Sequence, residues 1–161
     1  MPNTILHFAP NATLAFLLVR YVDFPVFILI NVVINFEAYV VILLRLNYPQ
    51  HGYLHTFLIG TLAGVLTAIV LYLWRDKLKK LMGFLRLGYE TTFKKMLFTA
   101  IIGVWLHIVL DMPVYADMKP FFPSEANPLY GVISPFRMDV FCVVFFIPAF
   151  ILYLKAAKLK K

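Results

Sequence analysis

Four histidines and two acids carry the chemistry this chain could do: His7, His51, His55 and His107, with Glu37 and Asp111. His107 and Asp111 are four residues apart, so on a helix both side chains leave one face and can grip a single ion. His51 and His55 share that spacing, although Gly52 between them weakens a helical turn there. Imidazole and carboxylate donors without a thiolate suit Zn²⁺ first, with Mn²⁺ or Fe²⁺ next, rather than Cu⁺. Such a site with an open coordination position lowers the pKa of a bound water to about 7 and makes it a nucleophile.

The elements that must position these groups are apolar. Of 161 residues, 62% are hydrophobic and 14% charged, and the mean hydropathy is +0.84. A soluble domain of this length cannot hide so much apolar surface, whereas lipid accepts it. The fold class is therefore all-α: a single polytopic membrane domain, 1–161, of about five helices and four to five spans. The runs are Thr4–Val22 with Pro10 inside it, Phe24–Leu46, Thr56–Trp74, Met96–Val114, and Val140–Leu154 with Pro148 inside it. From Pro10 onward the first run offers about 18 Å of helix, too little to span alone. Residues 75–95 form a basic amphipathic segment along the inner surface, and 113–137 a Pro-rich outer loop.

Lysine and arginine set the orientation. Five alternating spans put twelve of the fifteen on one side, including Arg75 to Lys95 and the tail from Lys155. The positive-inside rule makes that side cytoplasmic, with the N-terminus outside and the C-terminus inside. At 1.5 Å per residue, Glu37, His107, Asp111 and His7 then lie about 17–23 Å above the inner end of their helices. His51 and His55 open the third run on the same outer side. All six groups thus converge on the outer half of a membrane.

A metal site is one explanation of that convergence. A structural polar cluster and a proton or ion path are the others. Charge excludes little by itself: the net +7 sits beside apolar runs rather than among aromatics on a polar face, so no nucleic-acid partner is expected. The lone Cys142 allows no internal disulfide. The start carries no basic region or small-residue cleavage site, so the first helix is expected to act as its own insertion signal.

Several short stretches also carry a likeness. His7-Phe8 with Pro10, Asn35-Phe36-Glu37, His51-Gly52-Tyr53-Leu54-His55-Thr56 and His107-Ile108-Val109-Leu110-Asp111 occur in that order. Tyr115, Asp117, Lys119-Pro120-Phe121 and Asn127-Pro128 follow. Together they resemble the membrane-bound, metal-dependent hydrolases known as LexA-binding inner-membrane hydrolases, in a short archaeal-like branch. Asn35 stands where that family often has Asp, and the His51/His55 pair is spaced by four where the commoner element has five.

The resemblance implies a metal-dependent hydrolase of the cell membrane, with metal-bound water attacking a phosphoester or other ester at the outer leaflet. His51, His55, His107 and Asp111 are the first candidate ligands. His7 and Glu37 come second, Glu37 and Asp111 being also the candidate catalytic acids. Asn35 is expected to orient Glu37. Asp117 reads chiefly as a solvated loop acid, with an orienting or substrate-facing role as its other reading. Lys119 and Arg137 could neutralise a phosphate or anchor headgroups. The expected partners are the bilayer and a phospholipid or phosphoester substrate, and oligomeric state is left open. The alternative is a non-catalytic metal-binding or transport protein, or a polar cluster without metal.

Overall fold

The computed structural model describes residues 4–158, which form seven α-helices and, among the described residues, no strand. The helices are α1 (Thr4–Leu17), α2 (Phe24–Leu43), α3 (Phe57–Leu73), α4 (Arg75–Phe84), α5 (Phe93–Asp111), α6 (Pro135–Val144) and α7 (Phe146–Lys158), with a 3₁₀ turn at Tyr53–His55. Capping sets several starts. Asp23, Thr56, Thr92 and Ser134 each accept a hydrogen bond from the backbone N–H three residues on, and Pro25 and Pro135 open α2 and α6.

Three helices are long and apolar enough to cross a membrane: α2, α5, and α6–α7 taken together as Pro135–Ala157. The pair α3–α4 makes a fourth only as a broken span, because the two helices meet at 76°. The count of five helices therefore gives way to seven. The first run stops at Leu17, and 14 residues give about 21 Å, short of a bilayer core. The last run splits at Phe145. Pro148 lies in the first turn of α7, where no intrahelical N–H is needed, so it starts a helix rather than bending one. The basic segment is helical over Arg75–Phe84 and again from Phe93, where α5 begins, with Leu78 and Met82 turned inward and Lys77, Lys79 and Lys80 exposed.

Helix α5 is the axis: α3 and α2 pack on it, and α1 lies against α2, α6 and α7. Small residues allow the approach. A Cβ on Gly60 would lie 2.7 Å from the Leu54 carbonyl and 2.9 Å from Val104 Cγ1 on α5. Gly60→Ala is therefore expected to push the 3₁₀ turn outward and cost about 1–3 kcal/mol, read as a lower thermal midpoint in detergent. At the far end, buried Asp23 ties the α1–α2 turn to the segment before α5. It accepts from Tyr89 Oη at 3.1 Å and from Thr91 Oγ1, while its own N–H donates to Thr99.

This topology brings the C-terminal half of α2, the start of α3, the end of α5 and the N-terminal half of α1 to one end of the bundle. Arg20, Lys79, Lys94 and Lys95 line a cleft of about 1330 Å³ at the other.

Candidate metal centre

Five of the six groups singled out in the sequence meet at the first end. His7 from α1, His51 and His55 from the α2–α3 connection, and His107 and Asp111 from α5 are each between 0% and 6% exposed. His7, His107 and Asp111 form one group whose potential ligand atoms all lie within 4.8 Å of one another; His51, His55 and Asp111 form a second. Asp111 belongs to both.

On α5, the tautomer of His107 follows from its neighbours. Asn31 Nδ2 donates to the Phe27 carbonyl at 2.8 Å, which leaves Asn31 Oδ1 as an acceptor. Asn11 Nδ2 at 2.7 Å and His107 Nδ1 at 3.0 Å both point to that oxygen. His107 Nδ1 therefore carries the proton and Nε2 presents a lone pair. That nitrogen is 3.1 Å from Asp111 Oδ2. The Asn35 amide, 3.1 Å away, can donate to the same nitrogen, and a cation near both groups, a second proton or a metal ion, relieves the remaining repulsion between lone pair and carboxylate.

His55 bears on that choice. It is fully buried, and neither ring nitrogen has a hydrogen-bond partner. Nε2 stands 3.9 Å from Asp111 Oδ2 and Nδ1 3.9 Å from Glu37 Oε2. That is too far for a hydrogen bond, but two metal–ligand bonds of about 2.0–2.2 Å at one ion can bridge it. His55 carries one N–H in either neutral tautomer, and an ion between Nε2 and Asp111 would occupy the lone pair that no hydrogen bond reaches.

His51 is held in the same manner from another direction. Its Nδ1 lies 3.0 Å from Asp117 Oδ1, its backbone N–H donates to Asp117 Oδ2 at 3.1 Å, and its ring stacks on Tyr115 at 3.9 Å. Its Nε2 is buried without a partner. The hydrogen bond from His51 holds the Asp117 carboxyl down at about 2, against the cost of desolvation. Asp117 is therefore ionised at neutral pH, keeps the proton on Nδ1 and leaves Nε2 bare. Its reading as a solvated loop acid gives way to this pairing. Asp117→Ala is expected to weaken metal binding about 10- to 100-fold, the usual effect of removing a carboxylate behind a ligating histidine, measured by competition with a chromophoric chelator.

Glu37 falls outside both groups of three. Its oxygens accept from the N–H groups of Tyr53 at 3.0 Å and Leu54 at 2.8 Å, so it shapes the turn that presents His55. A Cβ on Gly52 would collide with that carboxylate, which is why the turn needs glycine there. His51 and His55 accordingly meet through this turn, with ring centroids 4.8 Å apart, and not as a helical pair. Asn35 donates to the Asn31 carbonyl and stands 3.1 Å from His107 Nε2, beside the imidazole rather than beside Glu37. Lys119 pairs with Glu125, both exposed, and Arg137 is exposed at the start of α6. Asn11 and Asn31 are the site residues that sequence reasoning left out; their one signal was being amides inside apolar helices.

No family model, curated protein or solved structure matches the chain.

Proposed function

We propose that this chain is a multi-pass hydrolase of the cell membrane, with its site toward the outer leaflet and divalent metal, Zn²⁺ before Mn²⁺ or Fe²⁺, held among His7, His51, His55, His107 and Asp111. The bare, buried nitrogens of His51 and His55 in the group that holds Asp111 carry the reading. Spanning-length apolar helices, and the basic cleft at the end of the bundle away from the histidines, support the membrane setting and its orientation, N-terminus out and C-terminus in. The likeness to LexA-binding inner-membrane hydrolases supplies the reaction class.

A divalent ion there would bring the pKa of a bound water to about 7. Glu37, half-buried beside His55, is the acid placed to take the water's proton. With a phosphoester bound, the water oxygen would bond to phosphorus as the ester P–O bond breaks, and Glu37 would pass the proton on to the departing alkoxide. Hydrogen bonds from the backbone amides of Tyr53 and Leu54 orient the Glu37 carboxyl group for the first transfer.

Deep burial of all five ligand candidates favours one competing reading, a closed metal site with no catalysis. Elemental mass spectrometry of the detergent-purified protein beside His107→Ala/Asp111→Ala, followed by assay on p-nitrophenyl phosphate and short-chain phospholipids, separates the two. Metal lost in the variant together with hydrolysis by the wild type supports the hydrolase. Metal without turnover supports the closed site. No metal in the wild type after metal-supplemented purification sinks both.

A further inference from the structure

We infer that the site is a two-ion centre bridged by Asp111, with His7 and His107 on one ion and His51 and His55 on the other, built for phosphoesters. The inference rests on the reading of this cluster as a metal centre and deepens it.

Neighbouring imidazoles stand ring to ring: His51 and His55 at 4.8 Å between centroids, His55 and His107 at 5.5 Å, and His107 and His7 at 4.9 Å. Their possible ligand atoms fall into two groups of three, each within 4.8 Å, rather than into one group of five, and Asp111 is the member they share. Its Oδ1 lies 3.4 Å from His7 Nε2, while its Oδ2 stands between the two groups, 3.1 Å from His107 Nε2 and 3.9 Å from His55 Nε2. A carboxylate within reach of both groups is placed as the shared ligand of a two-metal site, whose ions stand about 3.5–4 Å apart.

Each half also has its own orienting group. Asn31 fixes the proton of His107, and Asp117 fixes that of His51. If only one ion were held, one of these arrangements would serve no ligand. Three carboxylates, Asp111, Glu37 and Asp117, border the cluster. One divalent cation leaves it net negative, whereas two leave it slightly positive and suited to an anionic substrate. With three protein ligands each, both ions keep open positions, one for the attacking oxygen and one for the leaving oxygen of an in-line displacement at phosphorus.

The test is a Mn²⁺ titration of the wild-type protein in detergent, read by electron paramagnetic resonance and by bound-metal stoichiometry. It is repeated on His51→Gln/His55→Gln and His7→Gln/His107→Gln after size exclusion shows each to be monodisperse. Two equivalents with a spin-coupled spectrum, falling to one uncoupled equivalent in each variant, is the expected result. The metal-loaded wild type should also hydrolyse p-nitrophenyl phosphate in preference to p-nitrophenyl acetate. A single uncoupled equivalent in the wild type overturns the two-ion centre and leaves the metal hydrolase standing; no bound Mn²⁺ or Zn²⁺ removes both. The wild-type spectrum decides the matter even if a variant does not fold, and preference for the acetate ester overturns the substrate class.

Discussion

Asp111→Asn is expected to strip the protein of bound metal, lowering affinity on the order of 100-fold or more, beyond the effect of any single histidine change. The reason is position. Asp111 belongs to both ligand groups and is the one carboxylate in either. Replacing it removes the negative charge that offsets the ion and leaves four buried imidazoles to face a cation alone. The amide is nearly the same size, so the fold is expected to hold, and a circular dichroism spectrum like that of the wild type is the control. Chelator competition measures the affinity, and hydrolysis should fall to background in the same preparation. An Asp111→Asn protein that binds Zn²⁺ as tightly as the wild type would show that the ion sits elsewhere.

Asn31→Leu is expected to carry the second-largest effect, on stability and on the site together. Interhelical hydrogen bonds in membranes average only about 0.6 kcal/mol, because the unfolded chain in lipid finds other partners. Asn31 departs from that average because it serves two donors at once in a place with no solvent: Asn11 Nδ2 and His107 Nδ1 both end on its Oδ1, and it is 0% exposed. Leucine leaves both unpaired, at about 1–3 kcal/mol each. A loss of about 2–4 kcal/mol in thermal or chemical unfolding follows, with metal affinity about 10- to 100-fold lower as His107 loses its fixed tautomer. Asn31→Asp keeps the acceptor and should restore most of the metal affinity without restoring the Phe27 contact. If Asp binds metal no better than Leu, the tautomer argument fails.

The apolar runs made the helices legible, since lipid-length hydrophobic segments leave few alternatives. The i, i+4 spacing of His107 and Asp111 likewise placed both on one face of α5, as observed. Where helices stop was less legible, because it depends on local chemistry that hydropathy averages away. Residues 18–22 continue the apolar run apart from Arg20, yet they turn, and Asp23 after them caps α2. Phe145 breaks the last run where nothing but Pro148, three residues on, gave notice. The orienting groups were the hardest. Asp117 reaches His51 across 66 residues of chain, and Asn31 reaches His107 across 76. No periodicity links such pairs; only the packing of α2 on α5, and of the loop after α5 on the α2–α3 connection, makes them neighbours.

The wide scatter of the site along the chain also sets an order of events in its making. Residue 7 leaves the ribosome first and residue 111 last among the candidate ligands. Until α5 follows α1, α2 and α3 into place, the early histidines have no carboxylate to share. On the proposed reading, such a chain is inserted empty and loaded late, and in the proposed orientation its metal would be drawn from the pool outside the cell rather than from cytoplasmic delivery.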